Sequence, residues 1–398
     1  MRERPDHFAS VFIYSEEFSK FEYSSSHPFK PIRAKLTLDL CRRYGLMDWP
    51  WIRILPPQPT DFETLAEFHD KTYLKVLQAI DSDTIARELW PDLASKSDLK
   101  GDPRLLKYGL GTEDNPVFSG VYDFSILTTG ATLLGAEMIA NREIQVAFNP
   151  VGGFHHAGRD HAEGFCYVND IAVAIIHLLK RGLRVAFVDI DAHHANGVQD
   201  AFYRDDRVLV ISLHQNGKDI YPWSGFENEI GEGPGRGFTV NVPLPPGTDD
   251  EVYVRAFGEI VPPLVRNFKP DIVIGELGAD THLADPLSDL NLTNLGYAEV
   301  VGTLVDLSPR LLALGGGGYD LYKTARNWTL AWAALNGLEP RDEYAGVVGG
   351  MMFGPEADAG TLYDKKFVTA GRAKQQINQE VDRVLHTIKS TVFPIHRL

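Results

Sequence analysis

Cysteine is nearly absent: the 398 residues include only Cys41 and Cys166. Two thiols exclude a disulfide framework and a thiolate zinc site, and they suit a reducing compartment, so a cytoplasmic location is expected. No run of about 18 apolar residues occurs, so no membrane association is expected. The N-terminus MRERPDHF is charged from its first residues and begins no apolar secretory core. Positive charge is scarce, with 39 Lys and Arg against 54 Asp and Glu, a formal net charge of −15. That balance argues against a broad electrostatic grip on nucleic acid. It suits a cationic substrate such as a lysine-rich peptide or a polyamine. Low-complexity linkers and internal repeats are also missing, so residues 1–398 are read as one domain.

Hydrophobic residues make up 44% of the chain, ample for a large core. They gather in short runs that each stop abruptly at polar or glycine-rich residues. IQVAFN (144–149) meets PVGGFHH, RVAFVDI (184–190) meets DAHHANG, and RVLVISL (207–213) meets HQNG. DIVIGEL (271–277) meets GADTH, and RLLALGGGG (310–318) meets YD. Helix-patterned segments lie between them, such as NDIAVAIIHLLKRG (169–182) and DEVYVRAFGEIVPPLVRNF (250–268). Another is read at DFETLAEFHDKTYLKVLQAI (61–80), and GRAKQQINQEVDRVLHTIKS near the C-terminus reads as a polar amphipathic helix. Uninterrupted apolar strands alternating with helices predict an α/β fold whose mainly parallel sheet is covered on both faces. Ligands of such sheets collect beyond the carboxyl ends of the strands, which is where all five polar clusters fall.

The clusters carry metal and proton chemistry. Asp191 and His193 are two residues apart at a strand end, so both can point the same way. Carboxylate with imidazole suits Zn(II), Fe(II) or Mn(II) better than Ca(II). Asp280, at another strand end, is the candidate third ligand, and three ligands leave a position open for water. His155 and His156 form an adjacent pair between glycines, suited to acid-base work near neutral pH. Asp189 and Asn196 are candidates to fix their tautomers. The glycine run 315–318 lacks P-loop spacing, and it reads as a sharp turn presenting the Tyr319 hydroxyl to an oxyanion.

Taken together, these segments resemble the zinc-dependent histone deacetylase family, in particular its prokaryotic histone-deacetylase-like and acetoin-utilisation members. The resemblance runs from HPFKPIR (27–33) through GLGTEDNPVF, FNPVGGFHHAG, EGFCYVNDIAVAI, DIDAHHANGVQDAFY and GADTHLADPLSDLNLT to LGGGGYD. It spans about residues 10–335, with a helical extension at about 370–398. It implies an arginase/deacetylase-type three-layer fold with one eight-stranded sheet. It also implies a zinc-dependent hydrolase removing acetyl or other acyl groups from lysine side chains or related amines, with ferrous iron an alternative metal in the cell. Asp191, His193 and Asp280 would hold the metal. His156 would shuttle protons, His155 would orient water, and Tyr319 would face the carbonyl oxygen.

By the same resemblance, Asp114 grips the substrate backbone, and Gly164, Phe165, Tyr221 and Leu287 wall a narrow tunnel. Structural potassium is implied near Asp189, Asp191, His193, Ser212 and Leu213, and a second near Phe202, Asp205, Val208 and Phe238. Arg33 matches an arginine of an internal acetate-release cavity, with a surface ion pair as its bland alternative. Three positions depart from the family pattern: Asn196 replaces a frequent aspartate, Phe154 a leucine or methionine, and YPWSG (221–225) the usual rim. Two rivals remain at this point. One is an arginase-like ureohydrolase with two manganese ions. The other is a silent protein holding an acyl ligand or nucleotide, which the intact set of candidate residues argues against.

Overall fold

The computed structural model describes residues 8–92, 99, 102–308, 310–341 and 362–398; the charged N-terminal heptapeptide lies outside these. Eight strands form one sheet: β1 (Ser10–Ile13), β2 (Ile52–Leu55), β3 (Val146–Asn149), β4 (Val185–Asp189), β5 (Val208–Gln215), β6 (Thr239–Leu244), β7 (Ile272–Glu276) and β8 (Leu311–Leu314). Their order is β2-β1-β3-β8-β7-β4-β5-β6, and every neighbouring pair is parallel. All residues of β3 to β8 are buried, as a sheet covered on both faces requires.

The principal helices are α1 (Arg33–Arg43), α2 (Lys71–Asp81), α3 (Val121–Ala140), α4 (Asp170–Lys180), α5 (Asn196–Phe202), α6 (Asp250–Phe268), α7 (Asn294–Leu307), α8 (Leu321–Leu335) and α9 (Gly371–Thr391). The segment read as one helix at 61–80 is two, a turn at Phe62–Leu65 and then α2. Asp70 is responsible for the break: in extended conformation it accepts the N–H groups of Thr72 and Tyr73, and so starts a new helix. The amphipathic C-terminal helix α9 buries Ile377, Val381, Val384, Leu385 and Ile388 against β6 and α6. Phe12 and Phe148 on adjacent strands meet Trp332 of α8, and all three are buried. No helix among the described residues is long and apolar enough to cross a membrane.

Parallel strands put all their carboxyl ends at one edge. Four strands that end in chemistry-bearing clusters, β3, β8, β7 and β4, are consecutive in the sheet. Their four loops therefore converge on one place.

Candidate active site

The loop after β4 carries Asp191 and His193, and the loop after β7 carries Asp280. His193 Nδ1 lies 3.1 Å from Asp191 Oδ1 and 2.9 Å from Asp280 Oδ2. The other oxygen of each carboxylate is tied to backbone: Gly317 N–H donates to Asp191 Oδ2 at 2.7 Å, and Ala192 N–H to Asp280 Oδ1 at 2.8 Å. Each carboxylate is thus aimed by the chain; Asp280 Oδ2 and Asp191 Oδ1, which also accepts His193 N–H at 2.8 Å, face the shared centre. All three side chains are buried. Burial disfavours a charged His193, yet Asp191 and Asp280 hold its pKa up at about 10. Burial and the neighbouring Asp191 raise that of Asp280 to about 7. Such a pocket favours a cation strongly. Its donor set of two carboxylates and one imidazole, all with ligand atoms within 4.8 Å of one another, fits a divalent ion such as zinc.

The glycine run after β8 closes the back of this centre. A Cβ on Gly317 would overlap Asp280 Oδ2. Glycine is required here because the carboxylates pack directly on the backbone. Arg33 braces the same loop, donating to the carbonyls of Gly318 at 2.6 Å and Gly316 at 3.0 Å. Its guanidinium also lies over the rings of Phe29 and Trp328. Arg33 is 2% exposed, so the surface ion pair considered for it is excluded. A cavity of about 20 Å³ is bounded by Phe154, Phe29, the histidine pair and the glycine loop, and Arg33 is not among its walls.

From the loop after β3 come His155 and His156. His155 Nδ1 is 2.8 Å from Asp189 Oδ2, and its Nε2 is 3.0 Å from His156 Nε2. His156 Nδ1 is 2.7 Å from Asn196 Oδ1, at the start of α5. Their surroundings push the two imidazoles apart. Burial opposes charge on His155, but Glu276, Asp189 and Asp191 hold its pKa well above the usual value. Burial, then the positive charge of His155 and His193, pushes His156 well below it. The surroundings thus push the two pKa values in opposite directions, the separation that acid-base chemistry uses.

A channel of about 230 Å³ leads to His156. Its walls include Asp114, Gly164, Phe165, Ile220, Tyr221 and Leu287, and it ends on His156, His193 and Tyr319. The five residues expected to touch substrate therefore share one cavity. Ile220 joins them, although nothing in its apolar character singled it out.

The groups expected around potassium also lie close together. Asp189 pairs in register with Ser212 across β4 and β5, and Leu213 follows. In the other group, Asp205 N–H donates to Phe202 O, Val208 N–H to Asp205 O, and Val210 N–H to Phe238 O.

Three acidic residues at the site escaped the sequence reading. Asp285 is a clamp: it accepts Leu287 N–H at 2.9 Å and Tyr319 N–H at 2.7 Å, tying a channel wall to the tyrosine. Glu163 accepts the Asn196 amide at 3.1 Å. Glu276, fully buried at the end of β7, lies 3.3 Å from His155 Nδ1, and neither of its carboxylate oxygens has a hydrogen-bond partner. A lone charge closing the apolar run DIVIGE was the available signal for it. With His155 and Asp191 it forms a second group of metal-binding type, but the His155 nitrogen in question already faces Asp189 at the shorter 2.8 Å.

Comparison with known proteins gives the same picture. Residues 27–335 match the histone deacetylase domain. Histone deacetylase B of Dictyostelium discoideum is 37% identical over 332 residues, covering 83% of this chain and 75% of that protein. Human histone deacetylase 1 is 33% identical over 382 residues, covering 96% and 74%. Among solved structures, an HDAC homolog complexed with SAHA superposes with a TM-score of 0.81 at 32% identity, covering 96% of this chain and all of the other. An HDAC homolog from Aquifex aeolicus gives 0.79 at 31% identity, with the same coverage. The chain, with its eight-stranded parallel sheet, belongs to the histone deacetylase family.

Proposed function

We propose that this hydrolase removes the acetyl group from acetylated lysine side chains, with one divalent ion held by Asp191, His193 and Asp280. The observation that carries the reading is convergence. Three candidate ligands, two histidines and a tyrosine converge at one sheet edge, where a channel of about 230 Å³ reaches His156, His193 and Tyr319. Zinc at that centre, or ferrous iron in the cell, supplies Lewis acidity to the amide carbonyl and to the attacking water. His156, neutral with Nε2 facing the channel, takes the proton that the water loses and delivers it to the leaving amine. His155, held by Asp189 and charged, orients the water beside it. The Tyr319 hydroxyl donates to the carbonyl oxygen as negative charge develops there.

Along the channel, Gly164, Phe165, Tyr221 and Leu287 flank the methylene stem, and exposed Asp114 at the mouth accepts a backbone N–H of the substrate. The small cavity beside Phe154 takes the acetyl methyl and begins the exit for acetate. Potassium bound through Asp189, Asp191, His193, Ser212 and Leu213, and again through Phe202, Asp205, Val208 and Phe238, rigidifies the strand ends that aim the ligands. Residues 10–335 form the catalytic core of one domain, to which α9 is a packed extension, and the cytoplasm is its compartment. A net charge of −15 suits a basic peptide and a polyamine alike, so an acetylated polyamine or small amine is the second reading of the substrate.

The test is a hydrolysis screen of acyl-lysine peptides, acetylpolyamines and small acetylated amines, with and without chelator. Chelator-sensitive acetate release, restored by zinc at about one ion per chain, is expected. Metal-loaded protein that hydrolyses none of the panel would refute the deacetylase reading. Two manganese ions per chain would favour the ureohydrolase.

A further inference from the structure

Asn196 leaves a charge missing. His155 rests directly on the carboxylate of Asp189, whereas His156 rests on a neutral amide. An amide is also ambiguous, because either its oxygen or its NH₂ can face a ring nitrogen. Something must decide which.

Glu163 does so by geometry. It sits at the base of a two-residue hairpin: Glu163 and Cys166 exchange both backbone hydrogen bonds, at 3.0 and 2.8 Å. Gly164 and Phe165 at the tip both have positive φ, 52° and 69°. That conformation is characteristic of a type I′ turn, and it is a strained one for phenylalanine. A Cβ on Gly164 would overlap His156 Cδ2, so the turn presses against the imidazole. The same turn that places Phe165 in the channel wall thereby aims the Glu163 carboxylate at Asn196.

An ionised carboxylate only accepts hydrogen bonds. Burial opposes charge on Glu163, but hydrogen bonds from neighbours, His161 foremost and Asn196 among them, keep its pKa below the usual glutamate value. Asn196 must therefore turn its Nδ2 to Glu163, at 3.1 Å, which leaves Oδ1 for His156. An acceptor 2.7 Å from His156 Nδ1 demands a proton on that nitrogen and leaves Nε2 as the basic one.

We infer that Glu163 is a positioning residue: through the Asn196 amide it fixes His156 as the Nδ1–H tautomer, doing at one remove what Asp189 does directly for His155. This deepens the deacetylase reading and rests on it. Glu163 neither lines the channel nor meets the metal ligands; besides Asn196 it faces Tyr221 of the channel wall, so the tautomer readout isolates the effect that passes through His156.

The experiment combines two backgrounds and two readouts. In zinc-loaded protein with ¹⁵N-labelled histidine, the wild-type His156 signals should be those of an Nδ1–H tautomer, and Glu163→Ala should give a mixture. This readout needs no turnover, so it stands even if the substrate screen fails. In steady-state assays, Glu163→Ala should lower kcat by about tenfold or more, the usual scale for losing a partner that orients a histidine, with KM within about threefold. In an Asn196→Asp background the sign should reverse. The carboxylate introduced there holds His156 directly but faces Glu163 as a like charge, so Glu163→Ala should then raise kcat. An Nε2–H tautomer in the wild type would overturn the inference. So would a tautomer that Glu163→Ala leaves unchanged, an equal loss in both backgrounds, or an effect confined to KM.

Discussion

The Tyr319 hydroxyl has two available uses, packing or hydrogen bonding to substrate, and its surroundings separate them. Its ring is held edge-on by Phe165 at 5.6 Å and its backbone by Asp285, so the aromatic body is fixed without the hydroxyl. Tyr319→Phe should keep fold and metal content and lower kcat by about 10²–10³, the usual cost of one oxyanion donor. Near wild-type turnover in that variant would make GGGGYD a turn and nothing more. Phe154 carries a second prediction. Its ring packs 5.7 Å from Phe29 and 5.9 Å from Phe124, leaving only a small cavity of about 20 Å³. Compact hydroxamates should bind well and zinc binders with a bulky foot group weakly, with Phe154→Leu recovering the latter. Equal wild-type affinity for both inhibitor types would remove the steric argument. Asp191, His193, Asp280 and the histidine pair were legible as candidates because each belongs to a polar cluster that closes an apolar run, where polarity is conspicuous. Glu163 and Asp285 were not, because each acts on a residue 33 or 34 positions away and looks locally like surface charge.

Elements hold these side chains through their termini. Asn169 caps α4 by accepting Ala172 N–H at 2.9 Å, while its Nδ2 donates to the carbonyls of His155 and Ala157. His69, just before α2, accepts Asn169 N–H at 2.9 Å. One buried imidazole therefore links a helix start to the loop that carries His155 and His156. Burial lowers the pKa of His69 to about 3. In the unfolded chain it titrates near 6.5, so between those values the unfolded state binds the extra proton. Its contribution is complete above about pH 6.5 and is lost as pH falls toward 3. From pH 7.5 to 5.5 the wild type should lose about 1.4 kcal/mol more stability than His69→Gln, measured by urea unfolding. Identical pH dependence in the two proteins would mean that His69 titrates in the fold as it does in the unfolded chain. Strands β3, β4, β5, β7 and β8 were readable as apolar runs ending in chemistry. The other three were not: β1 opens a segment crowded with charge, β2 is interrupted by Arg53 and only partly buried, and β6 contains Pro243. Proline is tolerated in β6 because it is an edge strand.

For the whole molecule, the surplus of 15 negative charges acts at a distance that no single contact shows. The channel mouth shares it, with Glu113 and Asp114 both exposed there. A cationic peptide is drawn toward such a surface before it docks, and steering of this kind raises association rates by about 10–10³ at low salt. Salt shortens its range from roughly 10 Å at 0.1 M to 3 Å at 1 M. Once the acetyl-lysine stem is in the channel, the chemistry depends on buried groups that salt screens much less. Ionic strength should therefore separate capture from turnover. With potassium held constant and sodium chloride raised from 0.05 to 0.5 M, kcat/KM for an acetyl-lysine peptide flanked by Lys and Arg should fall by about fivefold or more. It should change less than about twofold for a neutral peptide of equal length, and kcat should hold for both. An acetylated polyamine should follow the basic peptide, because the field reads charge and not sequence. Equal salt dependence for basic and neutral substrates would show that the negative surface serves solubility alone, and that selection among amines happens inside the channel.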